Sequence, residues 1–171
     1  MRKNFLTEKQ IKKYFKQVLE AMKFIHDRNT IHRDIKPENI LISSNNNAKL
    51  CDFGFCAPIN NNEDRRTMCG TREYLAPEIA AKNTQNEKVD VWCLGILLYE
   101  MTHKKVPFES HQIFMMAHDK RRPKIAFKPT LHKDFKFIID SCLQINPNVR
   151  PSVAQILDMP IFKSKNSFDK Y

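Results

Sequence analysis

Four side chains between Ile31 and Gly54, in the stretch IHRDIKPENILISSNNNAKLCDFG, have types that could do chemistry together. A carboxylate, Asp34, is followed by a lysine, Lys36, then an amide, Asn39, and a second carboxylate, Asp52. Amide and carboxylate oxygens are hard donors of the kind Mg²⁺ takes. A lysine supplies a point charge for phosphate, and a further carboxylate can orient a hydroxyl or accept its proton. The set suits a site for magnesium and phosphate, provided that the chain holds the four groups together.

The elements that must hold them are legible. Asn39–Ser43 and Ala48–Cys51 are short apolar runs split by the polar turn Ser44–Asn47, which reads as a β-hairpin. A hairpin folds back on itself, so Asn39 at its entrance and Asp52 at its exit are brought side by side, with Asp34 and Lys36 on the loop before it. Ahead of that loop, Thr7 and Gln10 form a capping-box pattern. Ile11, Tyr14, Phe15, Val18, Leu19, Met22 and Ile25 recur at helical spacing to about Arg28. This is expected to be a plain core helix supporting the loop.

Beyond the hairpin, residues 55–75 carry few helix or strand signals, and Asn60–Arg66 reads as a mobile polar loop. A short helix is expected from Glu78 through Lys82. A helix apolar nearly all round opens at Asp90 and runs to about His103, the pattern of a central buried element. Ser110 is expected to cap a helix from His111 to about His118, and Lys120–Lys128 to be a solvated loop. Leu131, Phe135, Ile138, Ile139, Cys142 and Leu143 mark another core helix, and Ser152 with Gln155 caps the last one. Residues 163–171 read as a loose polar tail.

At 171 residues, with 42% apolar content, one domain with a well-buried core is expected. Three glycines in the whole chain argue against a Gly-rich nucleotide loop. The net charge of +10 has no zinc-finger spacing, aromatic RNA-binding motif or basic heptad helix beside it, so no nucleic-acid partner is expected. The five scattered cysteines (Cys51, Cys56, Cys69, Cys93 and Cys142) form no CxxC pair and read as reduced thiols. The start lacks a signal-peptide core, and the apolar run Val89–Met101 carries Asp90 and Glu100. A protein of the cytoplasm or nucleus, without a membrane partner, is expected.

Three motifs in order carry a resemblance. His32-Arg33-Asp34-Ile35-Lys36-Pro37-Glu38-Asn39 resembles the catalytic loop of eukaryotic serine/threonine protein kinases. Asp52-Phe53-Gly54 resembles their magnesium-binding triplet, and Ala76-Pro77-Glu78 the end of their activation segment. The stretch Thr67–Glu78 is similar to the Aurora and cyclic-AMP-dependent kinase groups. The resemblance implies transfer of the ATP γ-phosphate to serine or threonine hydroxyls of a protein, with ATP and Mg²⁺ as cofactors. It makes Asp34 the catalytic base or hydroxyl-orienting group, Lys36 the partner of the transferring phosphate, and Asn39 and Asp52 the metal ligands. Lys36, Glu38, Asn39, Leu41 and Asp52 would face the nucleotide, Leu41 under the adenine.

His32 would brace the loop against Phe53. Thr67 would be phosphorylated and clamped by Arg33, and Thr71 would hydrogen-bond Asp34 and Lys36. Glu78 would pair with Arg150, and Asp90 would bind the backbone of the catalytic loop. Glu38 and Glu100 resemble the acidic pair that reads a basic residue ahead of the phosphorylated one.

The resemblance covers about residues 7–162. It implies an α+β, mainly α fold: the large C-terminal lobe with one or two small hairpins (residues 1–162), and the tail after it. The few residues ahead of Thr7 are not expected to hold the Gly-rich loop, strand lysine and helix glutamate of a small lobe. An incomplete kinase is thus the foremost expectation. Beside it stand a non-catalytic binding module and a half-site completed by a separate N-terminal lobe from another chain.

Overall fold

The computed structural model describes residues 6–59 and 70–163. They are mainly helical: α1 (Glu8–His26), α2 (Pro77–Ala80), α3 (Lys88–His103), α4 (Ser110–Asp119), α5 (Lys133–Cys142), α6 (Val153–Leu157) and α7 (Pro160–Lys163). The strands are short: β1 (Thr30–Ile31), β2 (Ile40–Ile42), β3 (Ala48–Leu50) and β4 (Ala57–Pro58). Two antiparallel pairs form, β2 with β3 and β1 with β4. None of the described helices is long and apolar enough to cross a membrane.

The core is built around α3. Every residue from Val89 to Tyr99 is buried, so this helix has no solvent face. Gly95 lies where α3 meets α5. A Cβ there would stand 2.7 Å from the Cys142 Cβ and 2.8 Å from Leu143 Cδ2, so only a glycine lets the two helices approach this closely. Trp92 stacks on Phe108 with ring centroids 5.9 Å apart. On the other side, α1 buries Ile11, Tyr14, Phe15, Val18, Leu19, Met22 and Ile25. Phe15 meets Phe162 of α7 at 6.2 Å.

Thr7 caps α1 in the expected box, its hydroxyl accepting from the Gln10 N–H while Gln10 Oε1 accepts from the Thr7 N–H. Ser152 and Gln155 do the same for α6.

The structure differs from the sequence-based expectations in four places. Ala57–Pro58, within the supposedly signal-poor link, pairs with Thr30–Ile31 in the register Thr30↔Pro58 and Ile31↔Ala57. Two-residue strands are too short to show a periodic pattern, and a proline serves there because the strand lies at an edge. This pairing returns the chain after Asp52 to the base of the loop that carries Asp34.

Helix α4 is capped by Glu109, in a box with Gln112, and not by Ser110, whose hydroxyl instead reaches Glu73 at 3.4 Å. The loop 120–128 is anchored rather than freely solvated. Arg122 binds Asp140 at 2.8 Å and the Leu143 carbonyl at 2.9 Å, and Ile125 is buried. Finally, α1 does more than fill the core. Gln17 Oε1 accepts from the Ala48 N–H at 2.8 Å, and its amide nitrogen donates to Asn47 Oδ1 at 2.9 Å. The Tyr14 hydroxyl donates to Asn46, so the helix pins the turn of the β2–β3 hairpin.

Candidate active site

The β2–β3 hairpin forms with the register Ile40↔Leu50, Leu41↔Lys49 and Ile42↔Ala48. Its open end is closed by the Cys51 N–H donating to the Asn39 carbonyl at 2.9 Å, and the Cys51 thiol lies 3.2 Å from the same oxygen. Asn39 and Asp52 are therefore held one residue apart across the ladder. Just before Asn39, Pro37 opens a single 3-10 turn, Pro37–Asn39, which swings the chain from the Asp34 loop into β2.

Asp34 is 3% exposed and surrounded by donors. Lys36 Nζ lies 2.8 Å from its Oδ2, and Asn39 Nδ2 donates to the same oxygen at 2.9 Å. Asn39 Nδ2 also bonds the Asp34 carbonyl at 2.8 Å. Thr71 donates its hydroxyl to Asp34 Oδ1 at 3.3 Å and accepts from Lys36 Nζ at 3.0 Å. Burial pushes the Asp34 carboxyl up. The hydrogen bonds from Lys36, Asn39 and Thr71, with the lysine charge, outweigh burial and leave the group below the usual carboxylate range. Asp34 is thus ionised at neutral pH and presents its oxygens as hydrogen-bond acceptors.

The loop that carries Asp34 is fixed from beneath by Asp90, which is fully buried. Its Oδ1 accepts from the Arg33 N–H at 2.8 Å and its Oδ2 from the His32 N–H at 2.9 Å. A third partner, His26 Nε2 at 2.8 Å, was not singled out in the sequence. Its place in the last turn of α1, a helix read for its apolar stripe, gave the only signal. The hold is needed because Arg33 has a left-handed backbone, φ 69°. Gly70, at φ 98°, sits so close that a Cβ would be 2.8 Å from the Arg33 carbonyl oxygen, which seats the 70–71 segment against the loop.

His32 is buried with its ring edge toward Phe53, centroids 5.2 Å apart. Burial lowers its pKa despite Asp90 and Asp34 nearby, so the ring is neutral, and its Nδ1 lies 3.3 Å from the Asp34 N–H. Arg33 Nε donates to the Phe55 carbonyl at 2.6 Å. Thr67, the expected phosphorylation site, lies outside the described residues, as does Cys69.

Glu78 and Arg150 form a buried bidentate pair, Nη1–Oε1 at 2.6 Å and Nη2–Oε2 at 2.8 Å. Arg150 further donates to the carbonyls of Gln144, Ile145 and Lys88 and lies 5.1 Å over the Trp92 ring. It ties the segment after Thr71 to the core.

Asp52 is exposed at the hairpin exit in a left-handed backbone, φ 64°, and its Oδ1 accepts from the Gly54 N–H at 3.2 Å. Leu41 and Glu38 are also exposed. Glu100 accepts from the Tyr74 hydroxyl at 2.5 Å. Burial, then Glu100, then more weakly Glu38, push the Tyr74 hydroxyl far above its ordinary pKa, which places both glutamates near that ring.

The donor set fits a hard divalent cation. Asn39 commits its amide nitrogen to Asp34, which leaves its carbonyl oxygen, and Asp52 offers an exposed carboxylate across the hairpin. Magnesium takes few protein oxygens and completes its shell with water and phosphate oxygens. No group of three or more His, Cys, Asp or Glu side chains among the described residues forms an alternative metal centre.

A family model described as protein kinase domain matches residues 1–162. The chain belongs to the protein kinase family. Among its relatives, Aurora kinase B of Drosophila melanogaster is 41% identical over 145 residues, covering 85% of this chain and 44% of that protein. An Aurora kinase of Encephalitozoon cuniculi is 39% identical, covering 90% of this chain and 57% of its own length. The serine/threonine-protein kinase STE20 of Candida glabrata is 37% identical, with 91% of this chain and 17% of that protein covered. The chain therefore spans between about a sixth and somewhat over half of these curated relatives.

Proposed function

We propose that this chain transfers the γ-phosphate of ATP to serine or threonine hydroxyls of proteins. The observation that carries the proposal is the ionised, buried Asp34 ringed by Lys36, Asn39 and Thr71. In this reading, Asp34 accepts a hydrogen bond from the substrate hydroxyl and aims its oxygen at the γ-phosphorus. As that oxygen–phosphorus bond forms and the bond to ADP breaks, Asp34 takes the hydroxyl proton. Lys36, free to turn from Asp34 toward the phosphoryl oxygens, balances their charge. Thr71 keeps Lys36 and Asp34 in register. Asn39 and Asp52 would hold Mg²⁺, which when bound neutralises the phosphate oxygens. Leu41, exposed on β2, would lie against the adenine. Asp34, Lys36 and Thr71 together support serine/threonine rather than tyrosine specificity.

Glu38 and Glu100 support a protein substrate with a basic residue ahead of the phosphorylated one. Arg33 is proposed to receive the phosphate of a modified Thr67. The unpaired thiols of Cys51, Cys56, Cys93 and Cys142 favour work in the cytoplasm or nucleus.

A second reading, that polypeptide outside this chain completes the site, is favoured by the cluster of exposed apolar residues at its mouth. Leu41 is 57% exposed, Phe53 53% and Phe55 43%. Incubating the 171-residue chain with Mg-ATP and serine peptides, and reading phosphoserine by mass spectrometry, tests the proposal. Phosphoserine formation is expected. Failure to bind ATP at millimolar concentration would exclude catalysis by the chain alone and leave the second reading.

A further inference from the structure

The end of α3, the loop 120–128 and α5 gather positive charge that the Asp34 site does not use. Residues 103–136 hold nine Lys and Arg against three Asp and Glu, a net of +6 out of the +10 of the whole chain. His103, buried in the last turn of α3, stacks flat on Tyr99 with ring centroids 3.9 Å apart. Its Nε2 accepts from the Lys128 N–H at 3.1 Å. Burial lowers the pKa of His103, and the charges of Lys128 and Lys105 lower it further, which places both ammonium groups near the ring. Phe127 lies 6.2 Å from the His103 ring, and Lys136 Nζ lies 5.4 Å over Phe127. Lys133, Lys136 and Phe137 are exposed on α5, whose buried face is Phe135, Ile138, Ile139 and Cys142. Phe137 is 63% exposed, the most of any large apolar side chain among the described residues. The carboxylates of α5 are engaged elsewhere: Asp140 is bound to Arg122 at 2.8 Å, and Asp134 lies 3.8 Å from His132 Nδ1.

From this placement we infer that Lys105, Lys128, Lys133, Lys136 and Phe137 form a peripheral docking surface for an anionic lipid membrane. The four cations are all lysines. An ammonium group is a point charge suited to a diffuse layer of anionic headgroups, whereas reading a single phosphate with paired hydrogen bonds takes the arginine fork. A phenylalanine held out in water among those lysines gains by entering the boundary between headgroups and acyl chains. Single-stranded nucleic acid is instead held by successive aromatic platforms along a charged groove, and this face has one exposed aromatic ring. No described helix is long and apolar enough to cross a membrane, and a surface contact needs none. The sequence-based expectation of no membrane partner is thereby revised, because these lysines meet only in the fold. None of the five residues belongs to the Asp34 site, so docking stands or falls apart from phosphate transfer.

Sedimentation of the full chain with phosphatidylcholine vesicles, with and without about one-third phosphatidylserine, reads the docking. Binding to the phosphatidylserine vesicles is expected, with little to pure phosphatidylcholine, and it should weaken as salt rises. Lys136→Glu should lower the affinity about tenfold. Lys13→Glu on α1 makes the same change in net charge and should lower it by no more than about twofold. Phe137→Ser should weaken binding with the charge unchanged. Melting curves of the three variants should match the wild-type chain, since all three side chains are exposed. No binding to the anionic vesicles, equal losses for Lys136→Glu and Lys13→Glu, or no loss for Phe137→Ser would overturn the inference. So would binding of single-stranded RNA that Lys136→Glu and Phe137→Ser weaken while leaving vesicle binding untouched.

Discussion

The carboxylate of Asp90 holds the N–H of Arg33 at 2.8 Å, and that one contact explains how a strained loop can present the Asp34 carboxylate. Arg33 has φ 69°, a conformation that an arginine does not keep unaided. Asp90 takes it and the neighbouring His32 N–H from within the buried stretch of α3. Asp90→Ala should therefore cost about 3 kcal/mol, since two buried donors lose their acceptor. Urea unfolding measures this. A change within about 0.5 kcal/mol, the range of ordinary surface substitutions, would mean the loop holds itself.

Arg150→Ala should destabilise the chain by about 3–5 kcal/mol, because Glu78 would be left as a buried, unpaired charge. Restoring neutrality with Glu78→Gln in the same chain should recover part of the loss. A double-mutant cycle by denaturant melts gives the coupling, and strictly additive losses would show that the pair does not act as a unit.

Gly95→Ala should weaken the α3–α5 contact by about 1–3 kcal/mol, as its new methyl would overlap the Cys142 and Leu143 side chains. The same exchange at Gly54, where the nearest heavy atom is Asp52 Oδ1 at 3.2 Å, should cost less. Thermal melts compare the two, and equal shifts would argue against tight helix packing at Gly95.

The Asp34 carboxyl has a pKa lower in the folded chain than in the unfolded one. Its ionised contacts thus stabilise the fold fully above the unfolded value of about 3.9 and lose that effect as pH falls through the folded value. The stability gap between the wild-type chain and Asp34→Asn should be constant from neutral pH down to about 5, then shrink in acid. A gap that shrinks near pH 7 would contradict an ionised, donor-ringed carboxylate.

The site was legible where side-chain type and spacing carry the chemistry. Asp34, Lys36, Asn39 and Asp52 lie on one short loop and hairpin, so local sequence sets their neighbourhood. Thr71, Asp90 and Arg150 reached the reading through motif resemblance, since each meets its partner across tens of residues. What stayed hidden was long-range and polar. The bond from His26 to Asp90 spans 64 positions, and the Gln17 bonds to the hairpin turn span 30 and 31. Both residues stand on a helix whose apolar stripe dominates its pattern. The β1–β4 pair was missed because two-residue strands have no period to detect. The anchoring of loop 120–128 by Arg122 was masked by its basic composition.

Comparing phosphate transfer by the wild-type chain and Asp34→Ala, at saturating Mg-ATP and with matched unfolding curves, tests the central role given to Asp34 most directly. Asn39 keeps its bond to the Asp34 carbonyl in the variant, so the fold should survive. Transfer should fall by about 10²–10⁴-fold. Undiminished transfer, or a loss that merely tracks unfolding, would contradict Asp34 as the group that positions the attacking hydroxyl.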